Sequence, residues 1–250
     1  MTAPQFFETP QGRRLAFHKR EGKGPGVVFL GGFMSDMEGT KAIHLEAWAR
    51  AQGRAFLRFD YSGHGESDGA FEDGTIGAWA EDAMAAISTL TEGPQVLVGS
   101  SMGGWISLLV CRSMPEKVAA LVTIAAAPDF TEDSMWAGFD AAQRAALEQA
   151  GSIQIPSDYG DPYTITRALI EDGRAQLVLR APLALPFPVR FLQGTADTAV
   201  EMSVATRLLS HAQGDDMRLT LVKGSDHRFS EPKELMLIEQ AIEECLAVGR

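Results

Sequence analysis

The hexapeptide Gly99-Ser100-Ser101-Met102-Gly103-Gly104 constrains this chain more than any other stretch. It follows Gln95-Val96-Leu97-Val98, a short apolar run rich in β-branched residues, and precedes Trp105-Ile106-Ser107-Leu108-Leu109-Val110, apolar with no breaker. Such a pattern reads as strand, tight turn and helix, with G-x-S-x-G on the turn. A residue on so sharp a turn is forced into strained backbone angles. Strand and helix then pass too close for a Cβ at Gly99 or Gly103. Only Ser101 fits this frame, because centring it on Ser100 leaves no glycine two residues earlier. A plain glycine-rich turn would need neither the strand before nor the helix after. The context therefore predicts a nucleophile elbow, with the Ser101 hydroxyl lifted above a sheet and the next backbone N–H aimed at the group it attacks.

The remaining apolar runs fit one α/β chain of 250 residues, ample for a sizeable core. Two strands, Gln5 to Glu8 and Arg14 to Arg20, flank a turn at Pro10-Gln11-Gly12. Gly26 to Leu30 reads as a continuous apolar strand, the kind that a sheet buried on both faces requires, Arg54 to Phe59 as the next strand and Val118 to Ala125 as another apolar one. Helices are predicted over Thr40 to Gln52, ended by Gly53, and over Thr75 to Leu90. This alternation argues for a parallel sheet wrapped by helices. It stops at Pro128, and from Asp129 to Pro188 no apolar strand run occurs. That stretch offers a helix around Gly138 to Gln149, a polar turn at Ser157 to Pro162 and a helix around Thr164 to Glu171. About sixty residues are too many for a plain loop, so 129–187 is expected to form a helical cap on a core of 1–128 and 188–250. The pattern resumes with strand Val189 to Gln193, helix Val200 to His211, strand Arg218 to Val222 and helix Glu231 to Leu246.

Composition removes several function classes. A net charge of −11 disfavours nucleic acid and anionic membrane surfaces as partners. The two cysteines, Cys111 and Cys245, form no CxxC pair and suggest neither a disulfide framework nor a zinc site. The start Met1-Thr-Ala-Pro-Gln has neither a basic nor an apolar leader region, and no stretch is apolar for the length of a membrane span. The expectation is a cytoplasmic protein. No metal-ligand spacing and no dinucleotide or phosphate-loop fingerprint is present, so no cofactor and no metal are implied.

A serine hydroxyl needs a base to become nucleophilic, and the base needs a partner that fixes its tautomer. His18 lies in a strand, His44 inside a helix and His211 at a helix end; His64 precedes the serine. His227, in Gly224-Ser225-Asp226-His227-Arg228 straight after the last strand, stands where the order Ser…Asp…His puts the base. Asp197, in Gly194-Thr195-Ala196-Asp197 after the preceding strand, is the favoured acid. It competes with Asp129 after the strand that follows the elbow, with the adjacent Asp226, and with a plain helix-capping role for Asp197. Oxyanion donors are expected from the N–H groups of Met102 and of Phe33, the latter in the loop opened by Gly31-Gly32. The loop Asp60 to Ser67 reads as a structural turn.

With Ser101, Asp197 and His227 in this order, the chain resembles the α/β-hydrolase superfamily over nearly its whole length. Gly32-Phe33-Met34-Ser35-Asp36-Met37 with Gly39-Thr40-Lys41-Ala42, Arg58-Phe59-Asp60-Tyr61-Ser62-Gly63, Val98 to Trp105 and Lys223 to Arg228 are similar to its palmitoyl-protein thioesterase and acyl-glucuronide esterase branch. Gly31 departs from the pattern, standing where many relatives carry His. The resemblance implies a mostly parallel eight-stranded sheet and hydrolysis of acyl esters or thioesters under a small helical cap. A small-molecule acyl donor or an acylated protein cysteine is then the expected substrate. Met34, Trp136 and Tyr163 are the candidate pocket residues. An amidase, peptidase or carbon–carbon-bond hydrolase would use the same three residues, whereas a non-catalytic binder of a hydrophobic ligand would need none of them.

Overall fold

The computed structural model of the chain describes residues 3–156 and 162–248. Strands β1 (Gln5–Glu8) and β2 (Arg14–Arg20) pair antiparallel, Phe6 opposite Ala16 and Glu8 opposite Arg14. Then follow β3 (Lys23–Leu30), helix α1 (Thr40–Ala51), β4 (Arg54–Phe59), α2 (Ile76–Leu90), β5 (Gln95–Ser100), α3 (Met102–Ser113) and β6 (Val118–Ile124). β7 (Ser152–Ile155), β8 (Tyr163–Thr166) and the two-residue β9 (Leu183–Ala184) lie outside the main sheet. α4 (Ala141–Ala150) and α5 (Arg167–Ala175) belong to the same stretch. β10 (Val189–Gly194), α6 (Met202–His211), the two-residue β11 (Ala212–Gln213), β12 (Met217–Val222) and α7 (Pro232–Val248) complete the chain.

The main sheet has eight strands in the order β1-β2-β4-β3-β5-β6-β10-β12. β1, β2 and β4 meet antiparallel, and every later pairing is parallel. Side chains alternate between faces along a strand, which divides the core in two. Val27 and Phe29 pack on one face with Leu45 and Trp48 of α1 and Ile238 and Ile242 of α7. Val28 and Leu30 pack on the other with Trp79 of α2 and Trp105 and Ile106 of α3. Burial on both faces is why Val27 to Leu30 is apolar at every position. It also fixes the sheet rigidly beneath the loops at its carboxyl end.

Helix ends follow local chemistry. Gly53, just past α1, takes φ +61°, a left-handed angle that glycine adopts without strain. Thr75 caps α2 by accepting the Ala78 N–H at 3.2 Å.

The stretch between β6 and β10 departs from the all-helical expectation. Residues Thr131–Trp136 form a turn and a half of π-helix. α4 starts at Ala141, three residues beyond the predicted Gly138, because Asp140 and Gln143 form a reciprocal capping box. Residues 164–166, predicted as helix, instead belong to β8, which pairs antiparallel with β7, Ile153 opposite Ile165. Tyr-Thr-Ile-Thr and Ser-Ile-Gln-Ile carry an apolar residue at every second position, the period of a strand, but in runs too short to stand out. The helix follows directly, with the Thr166 hydroxyl accepting the Leu169 N–H at 3.1 Å. Most of the polar turn expected at Ser157 to Pro162, and Tyr159 with it, lies outside the described residues.

Candidate active site

Ser101 joins β5 to α3 with φ +55° and ψ −117°, a conformation that L-residues rarely adopt. Its backbone is pinned on both sides. The Ser101 N–H donates to the Ile124 carbonyl of β6 at 2.9 Å, and its own carbonyl accepts Gly104 N–H at 2.9 Å and Ala127 N–H at 3.1 Å. A Cβ at Gly99 would collide with the Gly103 carbonyl and the Ser107 hydroxyl, and one at Gly103 would collide with the Leu30 carbonyl. The glycines of the motif therefore answer a packing demand.

Three side chains from three loops meet at this turn. His227 Nε2 lies 3.1 Å from Ser101 Oγ, and His227 Nδ1 lies 2.9 Å from Asp197 Oδ2. With its Nδ1 proton donated to the carboxylate, the ring leaves Nε2 to accept the serine hydroxyl. Asp197 follows β10, its carboxylate screened from solvent. Its second oxygen accepts the N–H groups of Ala199 at 2.9 Å and Val200 at 2.8 Å. Burial pushes its carboxyl up. The His227 imidazole, the Val200 N–H and the Gln193 amide outweigh that, and the group rests below its ordinary value. Asp197 does not cap α6, which begins five residues later with Glu201 at its N-cap.

The rival acids are committed elsewhere. Asp129, at φ +59°, accepts Val178 N–H at 2.8 Å, Leu179 N–H at 3.0 Å and the Arg180 guanidinium at 2.9 Å. It anchors the stretch after α5 to the end of β6. Asp226 accepts the Phe229 N–H of its own loop at 3.2 Å. The other histidines are occupied too. His44 meets Glu239 at 2.6 Å, His18 lies 3.4 Å from Glu38, and His211 donates to the Ala181 carbonyl at 2.8 Å. His64 is buried edge-on against Tyr61, Phe71 and Trp79, and burial lowers its pKa.

Above Ser101 opens a cavity of about 820 Å³. Phe33, Met34, Met102, Phe130, Met135 and Tyr163 contribute apolar lining, and Lys41, Asp133, Glu201 and Arg207 contribute charged groups. Phe33 is held edge-on by Phe71 at 4.9 Å, Phe130 at 5.7 Å and Tyr163 at 5.7 Å. This keeps the Gly31–Met34 loop against the elbow, where Gly32 lies within van der Waals reach of the Ser101 Cβ. Met102 opens α3, so its N–H has no partner within the helix. The Phe33 N–H meets no carbonyl among the described residues. Trp136 needs a correction, because it does not line the cavity. Its indole packs against Phe139 and the core and is flanked by the guanidinium groups of Arg144 of α4 at 5.1 Å and Arg174 of α5 at 4.7 Å.

A model of the alpha/beta hydrolase family matches residues 27–242. The chain belongs to the α/β-hydrolase family. Human mitochondrial palmitoyl-protein thioesterase ABHD10 is 36% identical over 251 residues, spanning 98% of this α/β-hydrolase and 80% of the human protein. The structure of alpha/beta hydrolase domain-containing protein 10 from mouse has a TM-score of 0.92 at 31% identity and covers 100% of both chains. A hydrolase structure from Agrobacterium vitis S4 has a TM-score of 0.93 at 39% identity, covering 97% of this chain and 98% of that one.

Two supporting residues of this α/β-hydrolase escaped the sequence reading. Gln193 is fully buried at the end of β10 and donates to Asp197 Oδ2 at 3.0 Å and to the Val200 carbonyl at 3.0 Å. A polar residue closing an otherwise apolar strand was its only signal. Asp60 accepts the N–H groups of Met37 and Glu66, fastening the Phe33 loop to the turn after β4. Among the described residues no group of three His, Cys, Asp or Glu side chains is placed to hold a metal. No helix among them is long and apolar enough to cross a membrane.

Proposed function

We propose that this α/β-hydrolase is a serine hydrolase of acyl esters and thioesters. The observation that carries the reading is the single imidazole of His227, within hydrogen-bond reach of both Ser101 Oγ and the buried Asp197 carboxylate. In the first half-reaction, His227 Nε2 takes the Ser101 proton while Oγ attacks the acyl carbon. The Met102 and Phe33 N–H groups stabilise the oxyanion. The intermediate collapses to an acyl-serine, and the alcohol or thiol leaves with the proton returned by His227. Water then repeats the sequence and releases the acid. Asp197 holds the Nδ1 proton throughout and stabilises the imidazolium that forms at each transfer. The apolar lining of the cavity suits the acyl chain.

Support for thioesters comes from the mammalian relatives described as palmitoyl-protein thioesterases. The acyl donor is a small-molecule ester or thioester, or an acylated protein cysteine. Labelling by a fluorophosphonate, compared between the wild type and Ser101→Ala, tests the nucleophile. A panel of matched acyl thioester, oxyester, glucuronide and amide substrates tests the bond. A wild type that does not label, or that prefers the amide, overturns the reading.

A further inference from the structure

Lys41 sits in the first turn of α1, against the local rule. The free amide N–H groups of that turn make it the positive end of the helix dipole, which opposes a cation. No acidic side chain shares the turn to offset it. A residue that breaks the local preference marks a demand from elsewhere in the fold. That demand is the Arg228 carbonyl, to which the Lys41 Nζ donates at 2.5 Å across 187 positions of sequence.

Arg228 follows His227. The loop is tied elsewhere too: the Ser225 carbonyl accepts the Ala196 N–H at 3.0 Å, and the Gly224 N–H donates to the Thr195 hydroxyl at 2.9 Å. Asp226 accepts the Phe229 N–H at 3.2 Å, and the Ser230 hydroxyl donates to the same Arg228 carbonyl at 2.8 Å; Lys41 adds a tie from α1. Phe229 stands at φ +48° with its ring fully buried, so the main chain beside the imidazole is strained as well as short. Lys41 and His227 also border the same cavity.

We propose that Lys41 is a positioning residue for His227: its ammonium grips the Arg228 carbonyl and keeps the imidazole between Asp197 and Ser101. The proposal rests on the serine-hydrolase reading above. A charge-assisted bond is shorter and stronger than a neutral one, so the grip depends on the protonation of Lys41. Burial pushes this amine down to about 8. Asp226 of the loop and Glu234 of α7 pull the other way, and the Arg228 guanidinium adds to the depression. Above about pH 8 the neutral amine still donates, but more weakly.

The test compares wild type, Lys41→Met and Lys41→Arg for kcat and KM on a short-chain acyl thioester from about pH 6 to 9.5, with correction for spontaneous hydrolysis. The fluorophosphonate labelling rate and thermal unfolding are measured alongside. Lys41→Met is expected to lose about tenfold or more in kcat at pH 7, with KM changed less than about twofold, as for a displaced base. Labelling should slow by a similar factor. The wild-type kcat should decline above about pH 8, a decline absent from Lys41→Met and from the permanently charged Lys41→Arg, which regains most of the kcat. Lys41→Met with kcat within about threefold of wild type and the same alkaline decline overturns the proposal. If Lys41→Met does not fold, Lys41→Arg decides, and a decline retained there overturns it. A wild type that fails to label removes the serine-hydrolase reading itself. A labelling wild type with an unaffected Lys41→Met removes only the role of Lys41.

Discussion

The Asp60 carboxylate accepts the Met37 N–H at 2.6 Å, although the two residues lie on different loops and Asp60 is almost fully buried. Through this bond the turn after β4 holds the loop that carries Phe33. Burial raises the Asp60 carboxyl to about 6, against the opposing N–H bonds from Glu66 and Met37. A carboxyl that binds its proton more tightly in the fold than in the unfolded chain stabilises fully only below its unfolded value, about 4. That contribution is lost as pH climbs through about 6. The melting temperature of wild type minus that of Asp60→Asn should therefore fall between about pH 4 and 6, by on the order of 2–3 kcal/mol in stability, and flatten above. A gap that widens with pH would mean the carboxylate is stabilised by its bonds more than it is penalised by burial.

Ser101→Ala should abolish fluorophosphonate labelling and lower kcat by at least about a thousandfold, since members of a catalytic unit are not replaceable by one another. Its thermal unfolding should stay near that of wild type, because the Cβ and the pinned backbone remain. Retention of more than about a tenth of kcat would discard the acyl-enzyme route.

Asp197→Asn and Asp129→Asn should part company. The first leaves an amide where His227 needs an acceptor for its Nδ1 proton, and kcat should fall by about 10⁴ with modest change in stability. The second breaks the contact with Arg180 and leaves one buried N–H of Val178 or Leu179 poorly served, so it should cost about 1–3 kcal/mol of stability. Paired kcat and unfolding measurements settle it, and a crippled kcat in folded Asp129→Asn would return the acid role to that residue.

Chain length should be read by the apolar lining of the cavity. Burying a methylene contributes about 0.8 kcal/mol, close to a fourfold gain per carbon. In a series of acyl thioesters, kcat/KM should climb from acetyl to about octanoyl and then level. Tyr163→Ala should flatten that slope, whereas Trp136→Ala, whose indole faces Arg144 and Arg174, should leave it unchanged. No gain beyond acetyl would point to small or polar esters instead.

The elbow was readable because its glycines are demanded by contacts within the segment itself, strand against helix. Asp197 and His227 were readable from their places just after apolar strands. Trp136 misled because apolar character marks a residue for burial without naming its neighbours, and Arg144 of α4 and Arg174 of α5 took the indole. The Tyr163–Thr166 strand was missed because four residues of alternation look the same as the opening of a helix. Lys41 and Asp60 bond backbone groups 187 and 23 residues away, partners that sequence spacing does not reveal, whereas Gln193 acts on Asp197 and Val200, four and seven residues on.

Gly103 carries a consequence for how this site can change over time. Its α-carbon rests against the Leu30 and Gly31 carbonyls, at the root of the Phe33 loop. A side chain there would shift the loop and the elbow together, moving both proposed oxyanion donors in one step. The two donors therefore cannot drift separately through this contact. Met135 and Arg207 line the same cavity but are not among the groups a side chain at Gly103 would strike, so their exchange leaves this coupling untouched.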